Sequence, residues 1–178
     1  MEIKLGEYKI RSYDNTDAQA LIKYANNYNV SKWLKNTFPH PYTEDDAIVW
    51  LANCAAQDPE VNFALANNEE LIGGIGLKLN NDVFKHNAEI GYWLGEPFWG
   101  KNIVTEAVIE MTKYAFNNFD INRLFAGVFE GNSASVRVLQ KCRYKLDGIM
   151  RKAVYKEDKF LDQYIFALLK EDYLKLYE

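Results

Sequence analysis

The chain has 178 residues, a length that predicts one domain with a single hydrophobic core. Hydrophobic residues make up 48% and charged residues 26%, with 10 Gly and 4 Pro, which excludes disordered, collagen-like and low-complexity proteins. Acidic residues outnumber basic residues by 25 to 21, so no positive excess is available to neutralise a phosphate backbone, and no nucleic acid is expected as a partner.

Cysteine and histidine spacing argues against a disulfide or a metal site. Cys54 and Cys142 form no CxxC pair, which predicts buried thiols in a reducing compartment. His40 and His86 form no HExxH motif, so no metal is expected. The N-terminus lacks a secretory pattern, and no apolar run approaches the roughly 20 residues of a membrane span. We therefore expect a soluble cytoplasmic domain with no membrane partner.

The first half of the chain predicts a strand, two capped helices and a hairpin. Residues 8–13 alternate like a short strand, and residues 14–17 can cap the helix that follows. Residues 43–46, Thr-Glu-Asp-Asp, are a variant of the capping box and predict a second helix. Residues 61–66 and 71–79 predict two strands joined by a polar turn.

The second half alternates strands and helices. Apolar residues recur every fourth position along the first of these helices, which predicts one buried helix face. Hairpins at both ends and alternation in the centre predict a mixed α/β fold with one sheet layer covered by helices. The predicted strands are residues 87–94, 123–129, 145–155 and 159–169, and the predicted helices are residues 102–117 and 133–142.

The turn before the first of these helices is the first candidate site. A helix N-terminus offers unpaired N–H groups and a positive dipole end, and Gly100 would let a phosphate approach them. A single glycine is more often part of a routine turn, and the segment matches neither GxGxxG nor GxxxxGK[ST]. The spacing alone leaves both interpretations open.

Two stretches of sequence resemble a known family. Residues 88–94, AEIGYWL, and residues 97–107, PFWGKNIVTEA, resemble the acetyl-CoA-binding core of the GNAT superfamily of N-acetyltransferases. The resemblance is greatest to the branch of ribosomal-protein N-terminal alanine acetyltransferases. Residues 132–144, NSASVRVLQKCRY, resemble that branch's helix Asn-x-x-Ser-x-x-x-Leu-x-Lys-x-Gly-Phe/Tyr. The similarity covers about residues 8–173 and implies one domain, residues 1–178, whose α+β fold has a mostly antiparallel sheet, splayed in the middle and flanked by helices.

The resemblance also implies an activity. Such a protein transfers acetyl from acetyl-CoA to a primary amine, either a protein N-terminal α-amine or a small-molecule amine, by direct attack in a ternary complex. Pantetheine would pair with the splayed strand, pyrophosphate would lie on the turn at Gly100, and backbone N–H groups of residues 92–94 would stabilise the oxyanion. The residues implied in cofactor binding are Tyr92, Trp93, Leu94, Trp99, Gly100, Lys101, Asn102, Ile103, Val104, Thr105, Asn132, Ser135 and Lys141.

Direct attack needs a base for the ammonium proton and an acid for the leaving thiolate. Glu89, three residues before Tyr92, is the candidate base, and a surface glutamate on a strand is the alternative. Ser135 is the candidate acid, although a serine is also tolerated in the first turn of a helix. Tyr144 and Tyr164 are rival acids, and either ring could serve packing alone.

The resemblance also predicts an acceptor cleft, and the sequence differs from the family pattern at three positions. The resemblance implies that Trp33, Phe38 and Tyr42 line the acceptor cleft, while a hydrophobic plug under the first helices is the alternative. Asn102, Val104 and Arg143 stand where the family has small residues. These departures favour the competing hypotheses of a non-catalytic CoA-binding or interaction module, or a plain dimerisation domain. A homodimer is left open. Asn102 and Val104 lie in the turn, and Arg143 follows the second helix.

Overall fold

The computed structural model describes residues 1–176. Eight strands form one sheet in the order β1-β2-β3-β4-β5-β6-β8-β7. The pairing of β5 with β6 is parallel, and the other recorded registers are antiparallel. The strands are β1 (Glu2–Leu5), β2 (Tyr8–Arg11), β3 (Asn62–Ala66), β4 (Leu71–Leu79), β5 (Asn87–Leu94), β6 (Arg123–Phe129), β7 (Lys145–Lys156) and β8 (Lys159–Leu169). The helices are α1 (Ala18–Ala25), α2 (Tyr28–Ser31), α3 (Glu44–Ala55), α4 (Ile103–Asn118), α5 (Ser133–Lys141) and α6 (Lys170–Leu174).

The sheet with its flanking helices confirms the expected fold class. The chain divides into two compact units, Met1–Gly76 with Tyr92–Glu110, and Leu77–Gly91 with Met111 onward. The expectation of a single domain stays a prediction. None of the described helices is long and apolar enough to cross a membrane.

The first unit packs α1 and α3 over an apolar cluster. Leu21, Tyr42, Leu51 and Leu71 are all at most 5% exposed in this cluster. The predicted caps are present, because Asp14 and Thr43 each accept a backbone N–H in a capping box. The first cap opens a short 3-10 turn before α1 begins, which the sequence prediction did not separate from the helix.

A buried ion pair fixes the entry to α1. The Arg11 guanidinium donates to both carboxylate oxygens of Asp17, at 2.7 and 2.6 Å, and Asp17 is only 3% exposed. Asp17 also accepts the Asp14 N–H at 2.9 Å, so the buried carboxylate is well satisfied. The hydrogen bond to Asp17 raises the pKa of Arg11.

The second unit is built on β6, which has a neighbour on each side. Its antiparallel register with β8 runs from Arg123–Leu169 to Phe129–Gln163. Its parallel register with β5 covers only three positions and ends at Glu89–Phe125. Within the described residues, the pairing of β6 with β5 therefore ends before the last four residues of β6, although β6 stays paired with β8; this agrees with the expected splay between β5 and β6.

Candidate active site

The segment between β5 and α4 is a tightly closed turn. The Phe98 and Trp99 N–H groups donate to Gly95 O and Glu96 O at 3.0 and 3.1 Å. The Trp99 indole N–H donates to Leu94 O at 2.7 Å, while the residue stays 44% exposed. Trp99 thus spends its one side-chain donor inside the turn, so only its ring face remains to meet a ligand.

Two left-handed residues lead from this turn into α4. Gly100 has a φ of +79° and Asn102 a φ of 61°. The Asn102 carbonyl accepts the Glu106 N–H at 3.1 Å, and α4 begins at Ile103. Asn102 therefore precedes the helix and does not lie in its first turn. Because a Cβ added to Gly100 would meet nothing within 4 Å, the backbone there faces open space. This arrangement suits a phosphate group, which needs close approach to N–H donors.

Lys101 supplies positive charge at the same turn. It is exposed, and its ammonium lies 5.4 Å from the centre of the Phe98 ring. Val104 and Thr105, in the first turn of α4, are half-buried. The predicted turn residues 99–105 therefore form one continuous structural feature at the start of α4.

Helix α1 packs against this turn through Tyr24. The Tyr24 ring packs edge-on against Phe98, with ring centres 5.4 Å apart. A Cβ on Gly95 would come within 2.8 Å of the Tyr24 ring, so glycine is required for this approach. The Tyr24 hydroxyl donates to Glu70 at 2.6 Å and so fixes the ring.

A second support joins the turn to α2. Glu96 accepts hydrogen bonds from the side-chain amides of Asn27 at 2.7 Å and Asn29 at 3.1 Å. These bonds lower the pKa of Glu96. Asn27 is also the N-cap of α2 and accepts the Asn29 N–H. Sequence reasoning missed these contacts because the partners lie more than 60 positions apart.

Two of the predicted acceptor residues, Phe38 and Tyr42, belong to an aromatic cluster with Trp93. The Phe38 ring centre lies 5.5 Å from Trp93 and 5.4 Å from Tyr42. Tyr42 is 5% exposed, and burial raises its pKa to about 12. That burial matches the plug alternative for Tyr42. Trp33 and Phe38 are half-buried, and the Lys32 ammonium lies 5.4 Å from the Trp33 ring.

Trp93 also depends on a glycine of β4. A Cβ on Gly74 would come within 2.7 Å of the Trp93 indole nitrogen and would also contact Tyr13. Gly74 thus makes room for the indole against the sheet. The structure brings Trp93, predicted in cofactor binding, into contact with the predicted acceptor segment at Phe38.

Glu89 occupies the last paired position of β5 beside β6. Its Cα partner is Phe125, and its side chain is half-buried. Gly91 follows two residues later, is exposed, and has open space where a Cβ would be. The candidate base therefore lies where the parallel pairing of β5 with β6 ends.

The start of α5 holds the other predicted cofactor residues. Asn132 is the N-cap, and its side-chain oxygen accepts the Ser135 N–H at 3.2 Å. Both residues are half-buried, whereas Lys141 is exposed in the last turn of the helix. Asn132 therefore caps α5, and this structural role accounts for an asparagine at the start of the helix.

The rival acids differ in environment. Tyr144 is 3% exposed, and its hydroxyl shares a 2.8 Å hydrogen bond with Thr112, which is the arrangement of a packing ring. Tyr164 is half-buried in β8, opposite Val128. Burial raises the pKa of the Cys142 thiol to about 11, as expected of a structural thiol and not of a nucleophile.

Asp162 anchors the loop before α5. Its backbone exchanges hydrogen bonds with Glu130, whose N–H donates to Asp162 O at 2.9 Å. Its carboxylate accepts the Lys152 N–H at 2.9 Å, where the register of β7 shifts. Asp162 therefore holds together the β7 irregularity and the loop that leads to Asn132.

Comparison with known proteins identifies the family. A family model described as an acetyltransferase (GNAT) domain matches residues 8–145. This chain belongs to the GNAT acetyltransferase family. It is 29% identical over 170 residues to the uncharacterized N-acetyltransferase p20 of Bacillus licheniformis, covering 92% of this chain and 93% of that protein. It is 27% identical over 105 residues to the ribosomal-protein-serine acetyltransferase of Escherichia coli (strain K12), covering 59% and 58%.

Solved GNAT structures share the fold. The structure of RimL, a ribosomal α-N-protein acetyltransferase in complex with coenzyme A, superposes with a TM-score of 0.84 at 18% identity. The match covers 97% of this chain and 99% of RimL. RimL thus shows the shared fold, while the sequence relatives include a ribosomal-protein acetyltransferase. The chain is an acetyltransferase of a family whose general reaction is acetyl transfer to an amine.

The departures from the GNAT pattern keep the backbone shape. Asn102 and Arg143 replace small residues, and both adopt the left-handed conformation, with φ values of 61° and 69°. Arg143 ends α5 in a Schellman motif, because the Tyr144 N–H donates to Leu139 O and the Arg143 N–H to Gln140 O. Arginine at such a position costs about 1–2 kcal/mol relative to a residue free of Cβ strain.

Proposed function

We propose that this GNAT protein transfers acetyl from acetyl-CoA to a primary amine by direct attack in a ternary complex. The observation that carries the proposal is the turn at Gly100 and Asn102, whose left-handed residues lead straight into the N-terminus of α4. The pyrophosphate would lie on the N–H groups of this turn, with Lys101 nearby as its counter-charge.

The catalytic roles follow the chemistry of amide formation. The amine nitrogen attacks the acetyl carbonyl, the carbon–sulfur bond breaks, and the thiolate leaves. Glu89 would take the ammonium proton, directly or through a bridging water. Ser135 would protonate the leaving thiolate and, with Asn132, contact pantetheine. Backbone N–H groups of residues 92–94 would stabilise the developing oxyanion.

The acceptor is an amine presented to an aromatic surface. The half-buried rings of Phe38 and Trp93 contact each other, and the half-buried Trp33 ring lies near the Lys32 ammonium; such rings attract cations and cover apolar side chains. RimL is an α-N-protein acetyltransferase and the Escherichia coli relative is a ribosomal-protein acetyltransferase, which supports a protein N-terminal α-amine as one acceptor class. A small-molecule amine is the other acceptor class, and a panel of peptides and small amines distinguishes the two.

Cosubstrate binding and turnover are tested separately. A thermal melt with acetyl-CoA at 100 times its Kd should show about 2.7 kcal/mol of added stability. For a chain of this length that corresponds to roughly 5–11 °C in Tm. No shift at millimolar acetyl-CoA would contradict the proposal at its first step.

Turnover is then followed as release of free CoA thiol with a panel of amines. The panel contains peptides with free N-termini, the same peptides with acetylated N-termini, and small alkyl and aromatic amines. Release with free but not blocked peptides identifies an α-amine acceptor. Release with small amines alone identifies the other class, and no release with any amine contradicts the transfer reaction.

A further inference from the structure

A cavity of about 410 Å³ that is open to solvent lies in the second unit, at the C-terminal end of α5, and Arg143, Lys145 and Lys175 in its lining are exposed. Its lining includes Tyr144 and Leu168, which are 3% and 2% exposed and give it an apolar floor. Leu176 adds a further apolar side chain. The volume lies within the range of roughly 300–1,000 Å³ that is typical of small-molecule sites.

The charged lining of this cavity is unbalanced. Arg143, Lys145 and Lys175 contribute cations, and Asp172 is the carboxylate among the described lining residues. The Lys145 ammonium donates to Asp172 at 2.8 Å, which lowers the pKa of Asp172. Across residues 1–176, no hydrogen bond or ion pair engages the Arg143 guanidinium. The described lining therefore carries more positive than negative charge.

The backbone at Arg143 is left-handed although the residue is not a glycine. Its φ of 69° lies in the left-handed region, at a helix end where glycine is the favoured residue. Non-glycine residues keep such a conformation only where the surrounding structure fixes it, here the Schellman end of α5, and such residues cluster at functional sites. A glycine here would keep the Schellman motif but would remove the guanidinium from the cavity.

We propose that this cavity binds a small organic anion. A carboxylate or phosphate group would pair with the Arg143 guanidinium, whose planar donors match such groups in a bidentate manner. Lys175 adds a second positive charge, and an aromatic or aliphatic body lies on Tyr144 and Leu168. The site is independent of acetyl transfer, so the failure of either proposal leaves the other intact.

The probe is phenyl phosphate, titrated into the full chain and followed by NMR chemical shifts. Inorganic phosphate lacks the apolar body, and benzyl alcohol lacks the anion. Phenyl phosphate should bind at least tenfold more tightly than either. Equal affinity for phenyl phosphate and inorganic phosphate would contradict the apolar floor, and no binding of phenyl phosphate would contradict the site.

Variants of Arg143 separate binding from folding. Arg143→Gly should weaken phenyl phosphate binding at least fivefold while raising Tm by about 2–8 °C, because the left-handed strain of about 1–2 kcal/mol is relieved. Arg143→Lys keeps the positive charge but loses the bidentate donors, so it should weaken binding less than Arg143→Gly does. Arg137→Gln is the matched control, since Arg137 lies on the exposed face of the same helix and donates to Ser133 at 3.2 Å. Unchanged affinity in Arg143→Gly, or displacement of phenyl phosphate by acetyl-CoA, would overturn a separate anion site.

Discussion

Replacing Gly100 by glutamate should abolish tight acetyl-CoA binding at a small cost in stability. The structure allows the side chain itself, because a Cβ at Gly100 meets nothing within 4 Å. The cost to the fold comes from the φ of +79°, which an L-residue adopts at about 1–2 kcal/mol. The carboxylate would stand where the pyrophosphate approaches and would repel it.

Gly6 provides the matched control. It has a φ of +61°, nothing lies within 4 Å of an added Cβ, and it lies in the turn between β1 and β2. Gly6→Glu therefore introduces the same strain and the same charge away from the α4 turn. Both variants should lose roughly 2–8 °C in Tm, since 1 kcal/mol corresponds to about 2–4 °C for a chain of this size.

Calorimetric titration with acetyl-CoA then distinguishes the two variants. Gly100→Glu should lose at least tenfold in affinity, about 1.4 kcal/mol, while Gly6→Glu should bind like the wild type. Wild-type affinity in Gly100→Glu would refute the placement of the pyrophosphate. Equal losses in both variants would show that the effect is a general one on folding.

Four further predictions follow from the same structure. The double variant Asn102→Gly and Val104→Ala should tighten acetyl-CoA binding without loss of Tm, because Asn102 precedes α4 in a left-handed conformation that glycine adopts readily. Weaker binding by calorimetry would show that the present side chains already fit the ligand. Glu89→Gln should keep acetyl-CoA affinity but lower turnover by roughly 100-fold or more, most at low pH, and wild-type rates across pH would exclude it as the base. The Cys142 thiol, with a pKa of about 11, should resist alkylation near pH 8 until the protein unfolds, as mass spectrometry of iodoacetamide-treated samples would report. Hydrogen bonds from Lys23 and Tyr24 lower the pKa of Glu70 below its ordinary 4.5, so the stability that they add is present above that value and lost as pH falls through the folded pKa. Glu70→Gln should therefore reduce the fall of Tm at acidic pH, and an unchanged fall would contradict this.

Much of the central fold could be predicted because its elements carry regular patterns. The strand bounds at β5, β6 and β8 match the sequence prediction, and the predicted helix face of α4 is buried, with Ile103 at 2% and Met111 at 0% exposure. Both helix caps could be predicted because Asp14 and Thr43 are each followed, three positions later, by an aspartate. Local side-chain chemistry alone determines such features.

The missed elements are short or depend on distant partners. Strand β1 has four residues with two charges, and helix α2 has four residues inside an aromatic segment, so neither shows a period. The Glu96 bonds to Asn27 and Asn29 form only when the chain has folded. The left-handed backbone at Arg143 was also unpredictable from propensity, because arginine disfavours it and the helix end imposes it.

The most direct test of acetyl transfer follows the acetyl group itself. The wild-type chain and Gly100→Glu are each incubated with acetyl-CoA labelled in its acetyl carbons and with the amine that gives the fastest thiol release. The proposal predicts label on the amine nitrogen with the wild type, in one-to-one proportion to released thiol, and at least tenfold less with Gly100→Glu at subsaturating acetyl-CoA. Thiol release without label on the amine would mean hydrolysis and would contradict the proposed function.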